Sequence, residues 1–313
     1  MINSEQTILV TGAAGFIGSN LVRRLLEIGC AVRGLDNLST GKRGNLSDLL
    51  PHSRFTFIEG DICDKNTCIE SCGDVSFVLH QAALGSVANS MLRPDIYVKN
   101  NIVGFDNILG AAALRKVKRF VFASSASVYG DNDDPVKTEP NTGNVLSPYA
   151  MTKKFNEEYA NLFYRIYGIE TIALRYFNVF GERQDPGSSY AAVIPSFIKA
   201  FLNDQPPVIY GDGEQKRDFI YVSNVVRANL LACAAPSEAC GQVYNIACGR
   251  QISVNQLRQM VASIFNKDVS PVYEPEREGD IRNSLADLRN SQEKLDYHPM
   301  VNIETGLAKT IKW

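Results

Sequence analysis

A doubly wound α/β sheet of parallel strands, with a smaller and partly interleaved C-terminal α/β lobe, is the fold the sequence predicts. Three observations predict it. Short unbroken apolar runs alternate with helical patterns through the first half of the chain, and a glycine-rich turn joins the first run to an apolar helix. After about Arg175 the alternation weakens, and stretches rich in Gly, Pro and Asp take over. Strands buried on both faces read as continuous apolar runs, and strand–helix–strand repeats impose parallel pairing through right-handed crossovers.

Apolar runs bounded by turn residues place strands at Thr7–Val10, Val32–Leu35, Phe55–Ile58, Phe77–Leu79, Phe120–Phe122 and Thr171–Leu174. Between them, Phe16–Ile28, Lys65–Ser71, Val98–Lys116 and Tyr149–Tyr167 read as helices. Breaker clusters at Gly181–Tyr190 and Asp204–Pro207 flank a further helix, Ile194–Leu202. Gln242–Ala247 looks like one more strand, returning to the first sheet, and Ser253–Trp313 mixes short helices with Pro-marked loops. A further helix beyond Trp313 is also an expectation.

Composition narrows the function. The 313 residues hold 32 Lys plus Arg against 34 Asp plus Glu, a net charge of −2, without the basic footprint of a nucleic-acid binder. With 45% hydrophobic and 21% charged residues the chain reads as globular. No apolar run approaches the ~20 residues of a membrane span, and Met1–Gln6 is polar, so a cytoplasmic protein with no membrane partner is expected. Seven scattered cysteines lack CxxC pairs and read as reduced structural thiols; the three histidines lack ligand spacing, so no metal is assigned.

The turn after the first strand is Thr11-Gly12-Ala13-Ala14-Gly15-Phe16-Ile17-Gly18, a GxxGxxG spacing. Gly12 permits a tight turn, Gly15 lets the backbone approach a pyrophosphate, and Gly18 allows close helix–strand packing; the helix N-terminus then holds the diphosphate. Asp36 ends the second strand 18 residues beyond Gly18, where a carboxylate accepts hydrogen bonds from the adenosine ribose and repels a 2′-phosphate, favouring NAD over NADP. Lys42 and Arg43 read as a solvated basic pair, and Asp61-Ile62 follows the third strand, placed to flank adenine.

Tyr149-Ala150-Met151-Thr152-Lys153 is YxxxK at a helix start, with both side chains on one face. A free tyrosine ionises near 10; a lysine one turn away and a cationic nicotinamide would favour phenolate and lower that value. Ser124-Ser125-Ala126-Ser127 stands just beyond the strand Phe120–Phe122, on the sheet edge where open α/β folds place ligands. A hydroxyl there can hydrogen-bond the reacting oxygen while Tyr149 takes its proton.

With GxxGxxG, Asp36, Asp61-Ile62, Ser125 and Tyr149…Lys153, the chain resembles the extended short-chain dehydrogenase/reductase family, with its Rossmann fold. Over essentially its whole length it is similar to nucleotide-sugar 4-epimerases, through His80-Gln81-Ala82-Ala83, Leu174–Asn178, Gly211-Asp212-Gly213, Arg217–Val222 and Tyr244–Ala247. His80–Val87, Asn178–Pro186 and Tyr190–Pro195 resemble the bacterial UDP-N-acetylglucosamine 4-epimerases most.

The resemblance implies a division into residues 1–175, binding NAD, with return segments near 208–248, and 176–313, mainly binding a UDP-sugar. It implies that Tyr149 takes the proton of the 4-hydroxyl, that hydride passes from C4 to a tightly held NAD, and that the 4-keto sugar turns over before hydride returns. Lys153 would lower the tyrosine pKa and hold the nicotinamide ribose, and Ser125 would hydrogen-bond the 4-oxygen. Further implied cofactor contacts are Gly12, Gly15, Phe16, Ile17, Gly18, Asp36, Asn37, Asp61, Ile62, Gln81, Ala82, Ala83, Asn101 and Tyr176.

Implied substrate contacts are Asn178, Arg217 and Arg277 for UDP, Tyr210 and Gly211 for the nucleotide, and Gly85, Ser86, Ala126, Ser127, Gln184, Ala192, Val193, Asp280 and Ser284 around the sugar. Serine at 284, where glucose-restricted relatives carry tyrosine, would open the wall to a 2-acetamido group. Gly85 falls where many relatives carry lysine. His80 reads as packing beside the cofactor loop rather than as a base. The two long helices imply a homodimer through a four-helix bundle.

Two other activities share this fold and its motifs. A sugar 4,6-dehydratase needs an Asp-Glu pair where this chain has Ala126-Ser127. A UDP-uronic acid 4-epimerase would need donors for a C6 carboxylate, for which Ser86, Ser127 or the Ser188–Ser189 loop are the candidates. A catalytically silent NAD-sensing protein would share the glycine loop and commonly lack Tyr149 and Lys153.

Overall fold

The structure, a computed structural model, describes residues 5–185, 192–276 and 282–313. In chain order the first half is β1 (Thr7–Thr11), α1 (Phe16–Glu27), β2 (Ala31–Asp36), β3 (Phe55–Glu59), α2 (Lys65–Ser71), β4 (Phe77–His80), α3 (Val87–Leu92), α4 (Pro94–Val98), α5 (Gly104–Leu114), β5 (Arg119–Ser125), α6 (Pro148–Tyr167) and β6 (Glu170–Tyr176). The second half is β7 (Asn178–Phe180), α7 (Val193–Leu202), β8 (Val208–Tyr210), β9 (Lys216–Tyr221), α8 (Val222–Ala234), β10 (Gln242–Ile246), β11 (Gln251–Ser253), α9 (Val254–Phe265), β12 (Val272–Glu274), β13 (Asn283–Ser284), α10 (Arg289–Leu295) and α11 (Ile303–Lys312).

Seven parallel strands run in the order β10-β6-β5-β4-β1-β2-β3. The chain leaves β1 toward β2 and β3, then returns to build outward from the other side of β1. The crevice between the carboxyl ends of β1 and β4 is therefore the topological switch point, where such sheets bind ligands. All four residues of β4 are buried, as its unbroken apolar character requires.

Between 208 and 248, only α8 and β10 lie on this sheet. β9 pairs instead with β7, β11 and β13, and β8 with β12. The lobe built on β9 has its own core, centred on Phe197, Phe201, Tyr221 and Leu257.

The expected helix Val98–Lys116 is corrected. Pro94 starts α4 at its first turn, where a missing N–H costs nothing, and Lys99–Val103 then forms a π turn before α5 begins at Gly104. A π turn carries one residue too many for the helical repeat and commonly marks a functional site. Apolar periodicity alone does not reveal it.

Candidate active site

The switch-point crevice opens into a cavity of about 370 Å³. Its floor is the turn after β1. Gly12 has φ +66°, and a Cβ there would stand 2.8 Å from the Ala82 nitrogen. A Cβ on Gly18 would stand 1.9 Å from the Gly12 oxygen, so α1 could not pack so close to the turn. α1 starts without a side-chain cap, and Gly15, Phe16, Ile17 and Gly18 all line the cavity. Uncapped N–H groups at a helix N-terminus suit a diphosphate.

Asp36 lines the same cavity and is only 8% exposed. One of its oxygens accepts from Ala14 N at 2.9 Å and the other from Leu38 N at 2.8 Å. Burial raises its pKa, and those two N–H groups act against the rise. A carboxylate has about four acceptor directions, so two remain for ribose hydroxyls. Lys42 pairs with Asp185 at 2.9 Å and Arg43 with Glu59 at 2.9 Å, so both cations have carboxylate partners at the surface.

Asn37, Ile62, Gln81, Ala82, Ala83 and Tyr176 also line the cavity. Gln81 Nε2 donates to Asn229, while its Oε1 is buried with no protein partner, an acceptor left for a ligand donor. Tyr176 accepts from Asn229 Nδ2 at 2.8 Å. The cradle, the uncapped helix, Asp36 and the unpaired Gln81 oxygen together fit a dinucleotide.

Ser125, Tyr149 and Lys153 meet on the far wall of the cavity. α6 brings two of them because Ser147 caps it, accepting from Ala150 N at 3.1 Å, with Pro148 in its first turn. The helix stops at Gly168, φ +69°. Lys153 is 3% exposed, and its Nζ donates to the Ala123 carbonyl at 2.8 Å. Burial pulls its pKa down to about 8, with the Glu157 charge acting upward.

In the protein without its cofactor the net direction of the Tyr149 shift is the reverse of the expected lowering. Burial raises the Tyr149 pKa, and the hydrogen bond from Ser125 is what opposes the rise. Ser125 Oγ accepts from Ser127 N at 3.1 Å, which leaves its proton for the phenol oxygen. The cationic ring named in the expectation would have to supply the remaining stabilisation of phenolate.

His80 is 2% exposed, bonded through Nδ1 to Thr11 Oγ1 at 2.8 Å and stacked on Phe120. Burial takes its pKa down to about 3, so it is neutral and packs behind the cofactor loop.

A second cavity of about 400 Å³ adjoins the first, and Val179 lines both. Asn178, Ala192, Val193, Tyr210 and Arg217 line it. Gly85 lines the first, with nothing within 4 Å of where a Cβ would stand.

Eight expected site residues line neither cavity. Asp61 accepts from Asn37 Nδ2 and Cys63 N. Asn101 is locked to Leu84 N, Leu84 O and Thr152 Oγ1, and its neighbour Asn100 in the π turn lines the cavity instead. Ser86 caps α3. Ala126 packs on the core, and the Ser127 hydroxyl is buried without a partner. Gln184 donates to Val179 O, and Gly211 makes a turn at φ +72°. Ser284 sits in register with Arg217 across β13 and β9. Arg277 and Asp280, like Ser188–Ser189, lie outside the described residues.

Ser39, Thr40, Leu84 and Phe177 line the first cavity without having been expected. They are ordinary loop and strand-end residues after β2, β4 and β6, and only the fold brings them to one crevice. Among the described residues no group of three or more His, Cys, Asp or Glu could hold a metal ion, and no helix is long and apolar enough to cross a membrane.

Residues 8–247 match the family model described as the NAD dependent epimerase/dehydratase family. A putative UDP-glucose 4-epimerase of Methanocaldococcus jannaschii is 39% identical, over 98% of this chain and 97% of the relative. Among solved structures, a UDP-N-acetylglucosamine 4-epimerase from Methanobrevibacter ruminantium M1, in complex with UDP-N-acetylmuramic acid, superposes with a TM-score of 0.95 at 40% identity, covering 100% of this chain and 98% of that one. A UDP-glucuronic acid 4-epimerase variant from Bacillus cereus, bound to UDP-4-deoxy-4-fluoro-glucuronic acid and NAD, gives a TM-score of 0.91 at 32% identity over 98% of each chain.

Proposed function

The chain belongs to the NAD dependent epimerase/dehydratase family, and from that premise we propose that it inverts C4 of a UDP-hexose, chiefly interconverting UDP-N-acetylglucosamine and UDP-N-acetylgalactosamine, with UDP-glucose and UDP-galactose as further substrates. The observation that carries this reading is the meeting of Ser125, Tyr149 and Lys153 on the wall of the glycine-cradled cavity, next to a second cavity lined by Arg217.

NAD, when bound, supplies the acceptor for the C4 hydride and returns it. The chain's own residues do the rest. Tyr149 takes and gives back the proton of the 4-hydroxyl, and Ser125 hydrogen-bonds the 4-oxygen. Lys153, seated on the Ala123 carbonyl, would hold the cofactor ribose through its remaining N–H donors. Arg217, with Arg277, suits a diphosphate, and Asn178 and Tyr210 the nucleoside. The 1–175 part, with β10, would hold the cofactor, and 176–313 mainly the UDP-sugar. The open space at Gly85 supports room for an acetamido sugar in both orientations.

A second copy of the chain completes the reading. One flank of α6 leaves Met151 53%, Phe155 36%, Leu162 38% and Ile166 62% exposed, and α3, α4 and α5, which pack along it, add Met91, Leu92, Val98 and Leu114. A homodimer through these helices would cover that face.

The test is purified protein given UDP-N-acetylglucosamine without added NAD, followed by NMR of the anomeric region. UDP-N-acetylgalactosamine should appear. The likeness to UDP-glucuronate 4-epimerases supports one alternative, a UDP-uronic acid substrate. A higher rate on the uronate than on the acetamido sugar would establish that alternative. Tyr149→Phe should retain NAD and lose about 10²–10⁴ in turnover; unchanged absence of turnover in both proteins would point to an NAD sensor.

A further inference from the structure

Glu157 follows Lys153 by four residues and Tyr149 by eight, so all three share one face of α6. Its carboxylate is buried, 6% exposed, and every polar partner that it shows belongs to the end of β5 or β6. Ser124 Oγ donates to Oε1 at 2.5 Å. Arg175 donates from Nε to Oε1 at 2.8 Å and from Nη2 to Oε2 at 2.7 Å, a two-pronged pair whose guanidinium is 5% exposed. Arg175 is fixed in turn, donating to the Glu139 carbonyl at 2.9 Å and lying 5.0 Å over the Tyr129 ring.

Ser124 stands between the two β5 residues that matter to the site. Ala123 offers the carbonyl that seats Lys153, and Ser125 offers the hydroxyl that meets Tyr149. We propose that Glu157, braced by Arg175, is a positioning residue that clamps the end of β5 through Ser124 and so sets the seat of the Lys153 ammonium and the aim of Ser125. The clamp rests on the epimerase reading for its consequence in turnover, but not for its effect on Lys153.

The electrostatics run the same way. Lys153 has lost most of its water, and a buried cation persists only beside compensating charge. The titratable groups around it are Tyr149 and Glu157 on α6, His80 on β4, Arg175 on β6 and Tyr97 on α4. Of these Glu157 is the one carboxyl group, and it is paired with Arg175. His80 is held neutral, in part by the lysine charge itself. An unpaired Glu157 would itself be costly to bury, and Arg175 removes that cost.

Two readouts test the clamp. In protein carrying 13C at the lysine ε-carbons, the Lys153 resonance, assigned by its absence from Lys153→Arg, reports the lysine's protonation without any turnover. Its midpoint should fall by at least about half a pH unit in Glu157→Gln, since direct ion partners move such midpoints by roughly 1–3. If that variant fails to fold, Glu157→Gln/Arg175→Met removes both buried charges, and its midpoint should fall by less, since the cation lost with Arg175 offsets part of the shift. Ser124→Ala keeps the ion pair; its Lys153 midpoint should stay put while kcat falls about tenfold and KM stays within about twofold, a partial misaiming.

An unmoved Lys153 midpoint in both Glu157 variants overturns the electrostatic role. Unchanged kcat in Ser124→Ala overturns the clamp. Absence of turnover in the wild type defeats the epimerase reading instead, and leaves the lysine titration to decide the rest.

Discussion

Lys153 Nζ lies 5.9 Å from the centroid of the Tyr149 ring while donating at 2.8 Å to the Ala123 carbonyl. The ammonium is thus held beside the phenol by the backbone of β5, not by the phenol itself. A cation held this way can act on Tyr149 only through its charge, which exists below about pH 8. Turnover should therefore fall off above pH 8, about tenfold per unit once the lysine is neutral. Lys153→Arg keeps a permanent charge and should lose the alkaline limb while running more slowly, because a planar guanidinium cannot fill an ammonium seat. Initial rates from pH 6 to pH 10 read both effects; a wild-type limb that persists unchanged in the arginine variant would assign it to another group.

Glycine at the first turn has a testable contrast inside the same cavity. A Cβ at Gly12 meets backbone at 2.8–2.9 Å in a residue with φ +66°, whereas one at Gly85 meets nothing within 4 Å. Gly12→Ala should cost more than about 2 kcal/mol and release the cofactor, while Gly85→Ala should stay within about 0.5 kcal/mol of the parent. Thermal unfolding and the absorbance of retained NAD measure both.

The sequence made the sheet legible because its strands are buried on both faces. The six expected strands appear as β1 to β6, each lengthened at one or both ends, and the return strand appears as β10. Motifs fixed by backbone need, such as the glycine turn and Tyr149…Lys153, could be placed from spacing alone. What spacing could not supply was long-range company. Asn101 sits in a π turn that points its amide at Leu84, and Ser284 is committed to the edge of β9. The Tyr149 pKa failed for a related reason, because sequence spacing counts charges and omits the desolvation that opposes them.

His80 should leave a mark on acid stability. Its folded-state pKa is about 3 against an ordinary 6.5, so between those values the unfolded chain binds a proton that the folded chain does not. Stability from this group is complete above pH 6.5 and is lost as pH falls toward 3, about 2 kcal/mol of it by pH 5. His80→Asn removes the titration and keeps a polar group for Thr11. Whatever its stability at pH 7.5, it should lose less Tm than the parent between pH 7 and pH 5. Equal losses would mean that the ring is solvated or charged in the folded state.

The exposed apolar flank of α6 gives the last prediction. Phe155, Tyr159, Phe163 and Tyr167 stack successively along the helix at 4.7–5.1 Å between rings, and Tyr159 is anchored to Asp106 at 2.7 Å. That ladder stiffens the side of α6 next to α5, so Leu162 and Ile166, which are exposed, present a firm surface to a second copy. Ile166→Glu adds a charge at a position 62% exposed in the single chain, where it should cost little stability to a monomer. In a dimer the same carboxylate would be desolvated in both copies across the symmetry axis, so the variant should sediment as a monomer while the parent sediments as a dimer. Because Tyr149 and Lys153 lie on the opposite side of the same helix, the monomeric variant should keep its turnover. A variant that stays dimeric would move the interface elsewhere, and a monomeric parent would refute the dimer.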